Sequence, residues 1–305
     1  MYRLPKKYRR IFRKLSKFEL QRSAVDDNSL SSEDVLGDLK TKQRQHLFLN
    51  FYSEAGIYRA LEAYGILRSL RIRGFRDFII KINTDDPFQH LLKFYFEKEE
   101  KDHLLGEIYA RRQQFIPPSS VIDAITPGNL SMIAIEWLTL QNPRANFTRR
   151  RPPLPGQDYP GLKIARKILM LLIEIALRLK TDGLLNTPEN FHNAAFYSPF
   201  FHFFNPKAEA TFQALQRDLA AFRFEQAAWA VALNCIFKTT SDTPWKWFSE
   251  VQIFPVSDAL TRYFNSESYK NQVNEIAKGI TFGIDRKKFN DRIRKQPASH
   301  LIGEL

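Results

Sequence analysis

Residues 162–186 read LKIARKILMLLIEIALRLKTDGLLN, and this stretch decides the fold. Its first part, Leu162 to Lys180, is rich in strong helix formers and places apolar residues at spacings of three and four, which predicts one long helix. Asp182-Gly183 is a turn signal, and Leu184 to Thr187 is short and apolar, as a buried strand is. A helix delivering the chain into a buried strand implies a sheet with helices on its faces.

Working outward, the preceding segments change period. Phe78 to Asn83 alternates apolar and polar residues and ends at Asp85-Asp86-Pro87. Leu91 to Glu97 and Leu104 to Arg112 are joined by the charged run Lys98 to Asp102, as in an antiparallel hairpin. Met132 to Leu140 is apolar on both faces in places, as a central strand is. Upstream, Ser53 is a good N-cap for a helix over 53–73 that Gly74 ends. Downstream, Asn190 to Ser198 reads as a helix and Phe200 to Phe204 as a strand. From Pro206 the pattern is mainly helical, over 206–221, 224–237, 256–264 and 267–278, with a basic last segment, Asp285 to Gln296, expected to fray. The fold class expected is α+β: a mixed, mostly antiparallel sheet flanked by helices, with a helical C-terminal extension. The expected division is a basic arm and linker over 1–45, an α/β domain over 46–205 and a helical region over 206–305.

The 305 residues include 26 Phe and 11 Tyr, and the hydrophobic fraction of 44% supplies a sizeable core. The longest apolar run, Ile168 to Ile173, stops at Glu174, far short of the ~20 residues of a membrane helix. Lone Cys235, in an apolar context, points to a buried thiol, and the absence of an export signal to a cytoplasmic protein. The six His are scattered, with no metal-ligand spacing, so no metal site is expected. There is no phosphate-binding P-loop, dinucleotide fingerprint or nucleophile elbow.

Net charge is +13, of which residues 1–23 carry +8, with Glu19 their one acid. Tyr8, Ile11, Phe12, Leu15 and Phe18 form an apolar stripe among those cations, an amphipathic helix. Such a helix packs on its own domain or engages nucleic acid, anionic lipid or an acidic protein. Residues 23–40 read as a polar linker, with Ser32 capping a short helix. Arg149-Arg150-Arg151 sits in a Pro-rich loop between Asn142 and Gly161, either as a solvated charge run or as a recruiter of phosphates or an acidic partner.

One stretch combines these features. Pro160-Gly161-Leu162-Lys163-Ile164-Ala165 opens the long helix, and after the next strand comes Asn193-Ala194-Ala195-Phe196-Tyr197. In this order Met132 to Phe204 resembles the acyl-CoA-binding half of the GNAT acyltransferase superfamily. The resemblance implies a GNAT-like sheet, acetyl-CoA or another acyl-CoA as cosubstrate and an amine as acceptor. It implies that backbone amides around Gly161, Lys163, Ile164 and Ala165 hold the pyrophosphate, that Asn193 contacts CoA, and that Tyr197 protonates the leaving thiolate. The family's usual Arg or Gln is replaced by Pro160, and its central glycine by Lys163; Ala165 conforms. For the general base, Glu136 and Glu107 are the strand carboxylates available, and apolar neighbours around Glu136 suggest burial. Each of these residues also has a plain structural reading: Tyr197 as a packed tyrosine, Asn193 as a cap, the glutamates as paired strand residues. The alternative function is a non-catalytic protein of the same fold, working through its basic arm.

Overall fold

The computed structural model describes residues 5–22, 47–118 and 128–305. The linker with its Ser32 cap lies outside the described residues. The chain forms two compact units, one drawn from Met1–Pro117, Asn129–Pro143 and Gly161–Leu184, the other from Pro118–Gly128, Arg144–Pro160 and Leu185–Leu305.

The first unit opens with α1 (Lys6–Lys14) and α2 (Lys17–Gln21). Ser16 and Glu19 form a reciprocal capping box that fixes the bend between them. The apolar stripe read from the sequence docks on this unit through Tyr8, Phe12 and Leu15, whereas Phe18 is exposed. Tyr8 stacks on Tyr64 at 5.5 Å, Leu15 and Leu20 are buried, and the Arg178 guanidinium covers the Phe12 ring at 4.3 Å while donating to the Phe12 carbonyl. Ser53 N–H donates to the Leu20 carbonyl at 3.0 Å.

The helix expected over 53–73 is two helices, α3 (Glu54–Ala63) and α4 (Ile66–Arg71). Gly65 breaks it by taking φ +66°, and the Lys167 ammonium bonds the Gly65 carbonyl at 2.7 Å. Then β1 (Phe78–Asn83), β2 (His90–Phe96), β3 (Leu104–Phe115) and β4 (Leu130–Leu140) pair consecutively and antiparallel. The rungs Leu92–Ile108–Leu138 and Phe94–Gly106–Leu140 are two residues apart in register and so share one face of the sheet. In β4 the register shifts: Tyr109 faces Trp137 and Ala110 faces Ile135, so Glu136 is the extra residue of a bulge.

α5 (Ala165–Arg178) follows, buried along Leu169–Ala176. It ends at Lys180, whose φ of +52° allows the Thr181 N–H to reach the Ala176 carbonyl. Asp182 then grips Ser131: its N–H donates to the Ser131 carbonyl at 2.6 Å, and its carboxylate accepts from the Ser131 N–H at 2.8 Å. The start of β5 (Gly183–Asn186) is thereby set beside the start of β4.

The second unit holds α6 (Phe191–Tyr197), β6 (His202–Phe203), α7 (Pro206–Leu219), α8 (Phe224–Ala232), β7 (Ile236–Lys238), β8 (Thr243–Trp245), β9 (Gln252–Pro255), α9 (Asp258–Asn265), α10 (Glu267–Gly279), β10 (Phe282–Ile284), α11 (Arg286–Ile293) and α12 (Ser299–Ile302). β5, β9 and β6 are neighbours in that order, and β10, β7 and β8 form a separate three-stranded sheet. The class is α+β as expected, and the C-terminal region is mainly helical, with four short strands between its helices that the sequence pattern did not reveal. Asn234, at φ +53°, ends α8 and frees Ile236 to begin a strand inside the expected helix 224–237. The basic segment expected to fray is α11, capped by Asp285 and anchored by buried Phe289 and Ile293. Trp229, Trp245 and Trp247 are partly buried and pack against the core of this unit: Trp245 and Trp247 meet edge-on at 6.3 Å, and Trp247 packs against Phe203 and Phe212. Cys235 is buried, and burial pushes its thiol up. Among the described residues no helix is long and apolar enough to cross a membrane.

Gly56 tests the docking of the arm. A Cβ there would fall 2.0 Å from the Leu20 carbonyl oxygen, a rigid backbone atom. Gly56→Ala is expected to lower stability by roughly 1–3 kcal/mol and to loosen residues 5–22. Urea unfolding together with proteolysis of the arm measures both, and an unchanged midpoint with equal protease resistance would rule out this contact as a constraint.

Candidate functional site

The approach to α5 is built by alternation. Leu162 and Ile164 are buried, so Lys163 between them points out, and Ala165 and Arg166 are exposed. Gly161 pairs with Gln141 in an isolated bridge, tying the turn to the end of β4. Lys163 has φ +57°, the left-handed conformation that glycine takes readily and a lysine takes at a cost of about 1–2 kcal/mol. α5 begins at Ile164 with no side-chain cap and no acid in its first turn. Its N-terminal N–H groups and positive dipole end are therefore available to an anion. Ile164 contributes only backbone here, since its side chain is buried.

Behind this turn, in the same unit, lies an apolar cavity of about 80 Å³. Its floor is the pair of sheet rungs described above, and its roof includes Ile164, Ile168 and Leu172 of α5 with Ala60 of α3. Gly106, with no side chain between Phe94 and Leu140, leaves part of that space open. At ~24 cal/mol per Å³ of residual cavity, the void costs about 2 kcal/mol relative to a filled core.

Glu136 differs from its sequence reading. The β4 bulge turns it to solvent, where it forms an ion pair with the Arg111 guanidinium at 2.8 Å and accepts from the Gln89 amide. The apolar neighbours that suggested burial belong to the strand before the bulge, Met132 to Ile135, where both faces are covered. Glu107, the other carboxylate considered, is in an ion pair with Lys93 at 3.4 Å. Thus Gly161, Lys163, Ile164 and Ala165 form one turn, and Glu136 stands on a different element of the same unit.

Asn193 and Tyr197 belong to the second unit, one turn apart on one face of α6. Both are half-buried, between them Ala194 is buried, and Phe196 is exposed. The Tyr197 ring lies 5.4 Å from Phe201, and burial pushes its hydroxyl up to about 12, which keeps the proton on the phenol across the neutral range. Arg149 and Arg150 are exposed, in a loop that the Trp229 indole pins by donating to the Pro153 carbonyl at 2.8 Å.

Sequence reading missed His192. It is buried beside Phe196, its Nδ1 has no hydrogen-bond partner, and burial holds it down at about 4. Its position on the inner face of α6 was the available signal, but a histidine in that pattern does not declare its depth. Among the described residues no group of three or more His, Cys, Asp or Glu is arranged to hold a metal ion.

No family model matches the chain, and no curated protein matches it. Among solved structures it is similar to AtaT complexed with acetyl-methionyl-tRNAfMet, at 14% identity over 47% of this chain and 71% of that one, with a TM-score of 0.25.

Two expectations follow from this geometry. Lys163→Gly relieves the left-handed lysine and is expected to raise stability by about 1 kcal/mol; a lower melting temperature would mean that the lysine side chain holds the turn. His192 gives a pH dependence. An unfolded histidine takes a proton near 6.5, whereas His192 stays neutral down to about 4, so between those values the unfolded chain binds more protons and stability falls as pH drops. In His192→Phe, the loss of stability between pH 7 and 4.5 is expected to shrink by roughly 2 kcal/mol. Denaturant titrations at the two pH values check this, and an unchanged difference would show that His192 does not drive acid unfolding.

Proposed function

We propose that this chain transfers an acyl group from acyl-CoA to an amine. The observation that carries the reading is the uncapped start of α5, approached through a left-handed residue at position 163 in a turn that Gly161 ties to the end of β4. The pyrophosphate of CoA is bound at the turn Gly161 to Ala165 by the backbone amides at the uncapped start of α5, where the helix dipole favours negative charge. Asn193 contacts the CoA chain. The amine nitrogen attacks the thioester carbonyl carbon, the C–S bond breaks, and Tyr197 donates its proton to the departing thiolate. Burial keeps the phenol protonated in the resting state but also makes it a weaker acid, so donation requires the departing thiolate to be held against the hydroxyl. Glu136 takes the proton lost by the attacking amine once the Arg111 contact opens.

A second reading, acyl-CoA binding without transfer, is favoured by one contact: Arg111 and Gln89 both occupy the Glu136 carboxylate. Calorimetry with acetyl-CoA and a thiol-release assay against a panel of amines separate the two. Transfer predicts micromolar binding and turnover, with Tyr197→Phe lowering kcat by about 10²–10⁴ while leaving Kd within threefold. Binding with no turnover on any amine supports the second reading. No heat with acetyl-CoA or free CoA up to millimolar concentration would remove both.

A further inference from the structure

The first unit carries a cationic face that acyl transfer does not use. In α1 and α2, Lys6, Lys7, Arg10, Arg13, Lys14 and Lys17 are exposed, and no acidic residue precedes Glu19, whose carboxylate is engaged by Ser16. The helix is held rigidly, because its apolar side is spent on Tyr64, Arg178 and the buried Leu15 site. The cations continue past the helix. The Lys167 ammonium is held below its ordinary value first by burial and then by the positive charges of Lys7, Arg73 and Arg68, which places α1, the end of α4 and the first turn of α5 around one electropositive surface. Beside Lys17, the Phe18 ring is 69% exposed, with the Arg22 guanidinium 5.7 Å from its centre.

We propose that this face binds nucleic acid, with the α1 cations on successive phosphates and Phe18 under an unpaired base. A docked helix is poorly suited to a membrane, since interfacial helices bind by burying the apolar side that here packs on the protein. A fixed row of cations matches a phosphodiester backbone, and an exposed aromatic beside cations is the platform on which single-stranded bases stack. The inference is independent of acyl transfer, because none of these side chains belongs to the residues assigned to CoA or to proton transfer.

The test is fluorescence anisotropy of the full chain with a labelled RNA hairpin carrying a single-stranded tail, the same sequence as DNA, and a blunt DNA duplex, over about 50–200 mM KCl. The expected result is binding whose log K falls linearly with log salt. Arg10→Gln/Arg13→Gln/Lys14→Gln, all exposed positions, should make that slope shallower by about 2–3 and weaken binding at least ~10-fold at the lower salt. Phe18→Ala should weaken the tailed probes about fivefold or more and leave the duplex unaffected. A control with the same loss of charge elsewhere, Lys270→Gln/Lys278→Gln/Lys287→Gln, should stay within about twofold. Equal weakening by both triple variants would reduce the effect to net charge and overturn the proposal. So would retention on phosphatidylserine vesicles with no binding to any nucleic acid. A preference of RNA over DNA, or the reverse, identifies which nucleic acid the face takes.

Discussion

The first unit depends on a buried carboxylate. Glu174, in the middle of α5, is 1% exposed, and its charge is matched by Arg178 one turn later. An isolated carboxylate at that depth would cost several kcal/mol, so the arginine cannot be treated as ornament. Its guanidinium is shared: it bonds Glu174, donates to the Phe12 carbonyl and lies over the Phe12 ring. The docking of α1 and the tolerance of the core for Glu174 are thus one arrangement. Tyr52 and Tyr64 border the same charge. Burial first, and the Glu174 carboxylate second, push both hydroxyls up, which keeps them neutral and makes them acceptable neighbours for an anion. Tyr64 in turn stacks on Tyr8, so the arm is fastened at two points of one electrostatic network.

That network explains which parts of the chain were legible. Periodicity revealed α5 and the four strands before it, because their hydrophobic patterns are long and regular. It also showed the amphipathic arm, although the pattern left its partner open; Arg178, more than a hundred residues away, decides that question and leaves no local trace. Glu174 looked like the end of an apolar run, whereas it is a core residue with a partner at i+4. Gly65 and Asn234 each terminate a helix in the left-handed region, yet an isolated glycine or asparagine within a helical pattern is tolerated often enough that neither forced a break. The strands of the C-terminal region are three or four residues long, and β10 pairs with β7 across more than forty residues, so no window contained their reason for existing.

The candidate site shows the same division. The turn at 160–165 could be located from its place before a long helix, but the left-handed backbone at Lys163 could not, since lysine is not a residue type that marks that conformation. The bulge at Glu136 could not be located, since it arises from the register between β3 and β4 and no residue type marks it. Its consequence is chemical: moving one residue out of the ladder converts a carboxylate expected among apolar neighbours into an exposed one paired with Arg111.

The same charge distribution bears on two anions of different size, and physics separates them. The start of α5 offers backbone amides and a helix dipole, which act over about one turn and suit a compact pyrophosphate. The face of α1 offers a row of point charges along a helix of nine residues, which suits an extended polyanion. The first kind of contact is geometric and is screened weakly once the ligand is seated. The second works by release of counterions, so its strength falls steeply with salt in proportion to the phosphates engaged. Because Lys167 stands in the first turn of α5 and feels the cations of α1 and α4, an anion on one surface lowers the positive potential at the other. If both proposed ligands bind, a polyanion on the arm would oppose a phosphate at α5, and by linkage the reverse would hold with equal magnitude.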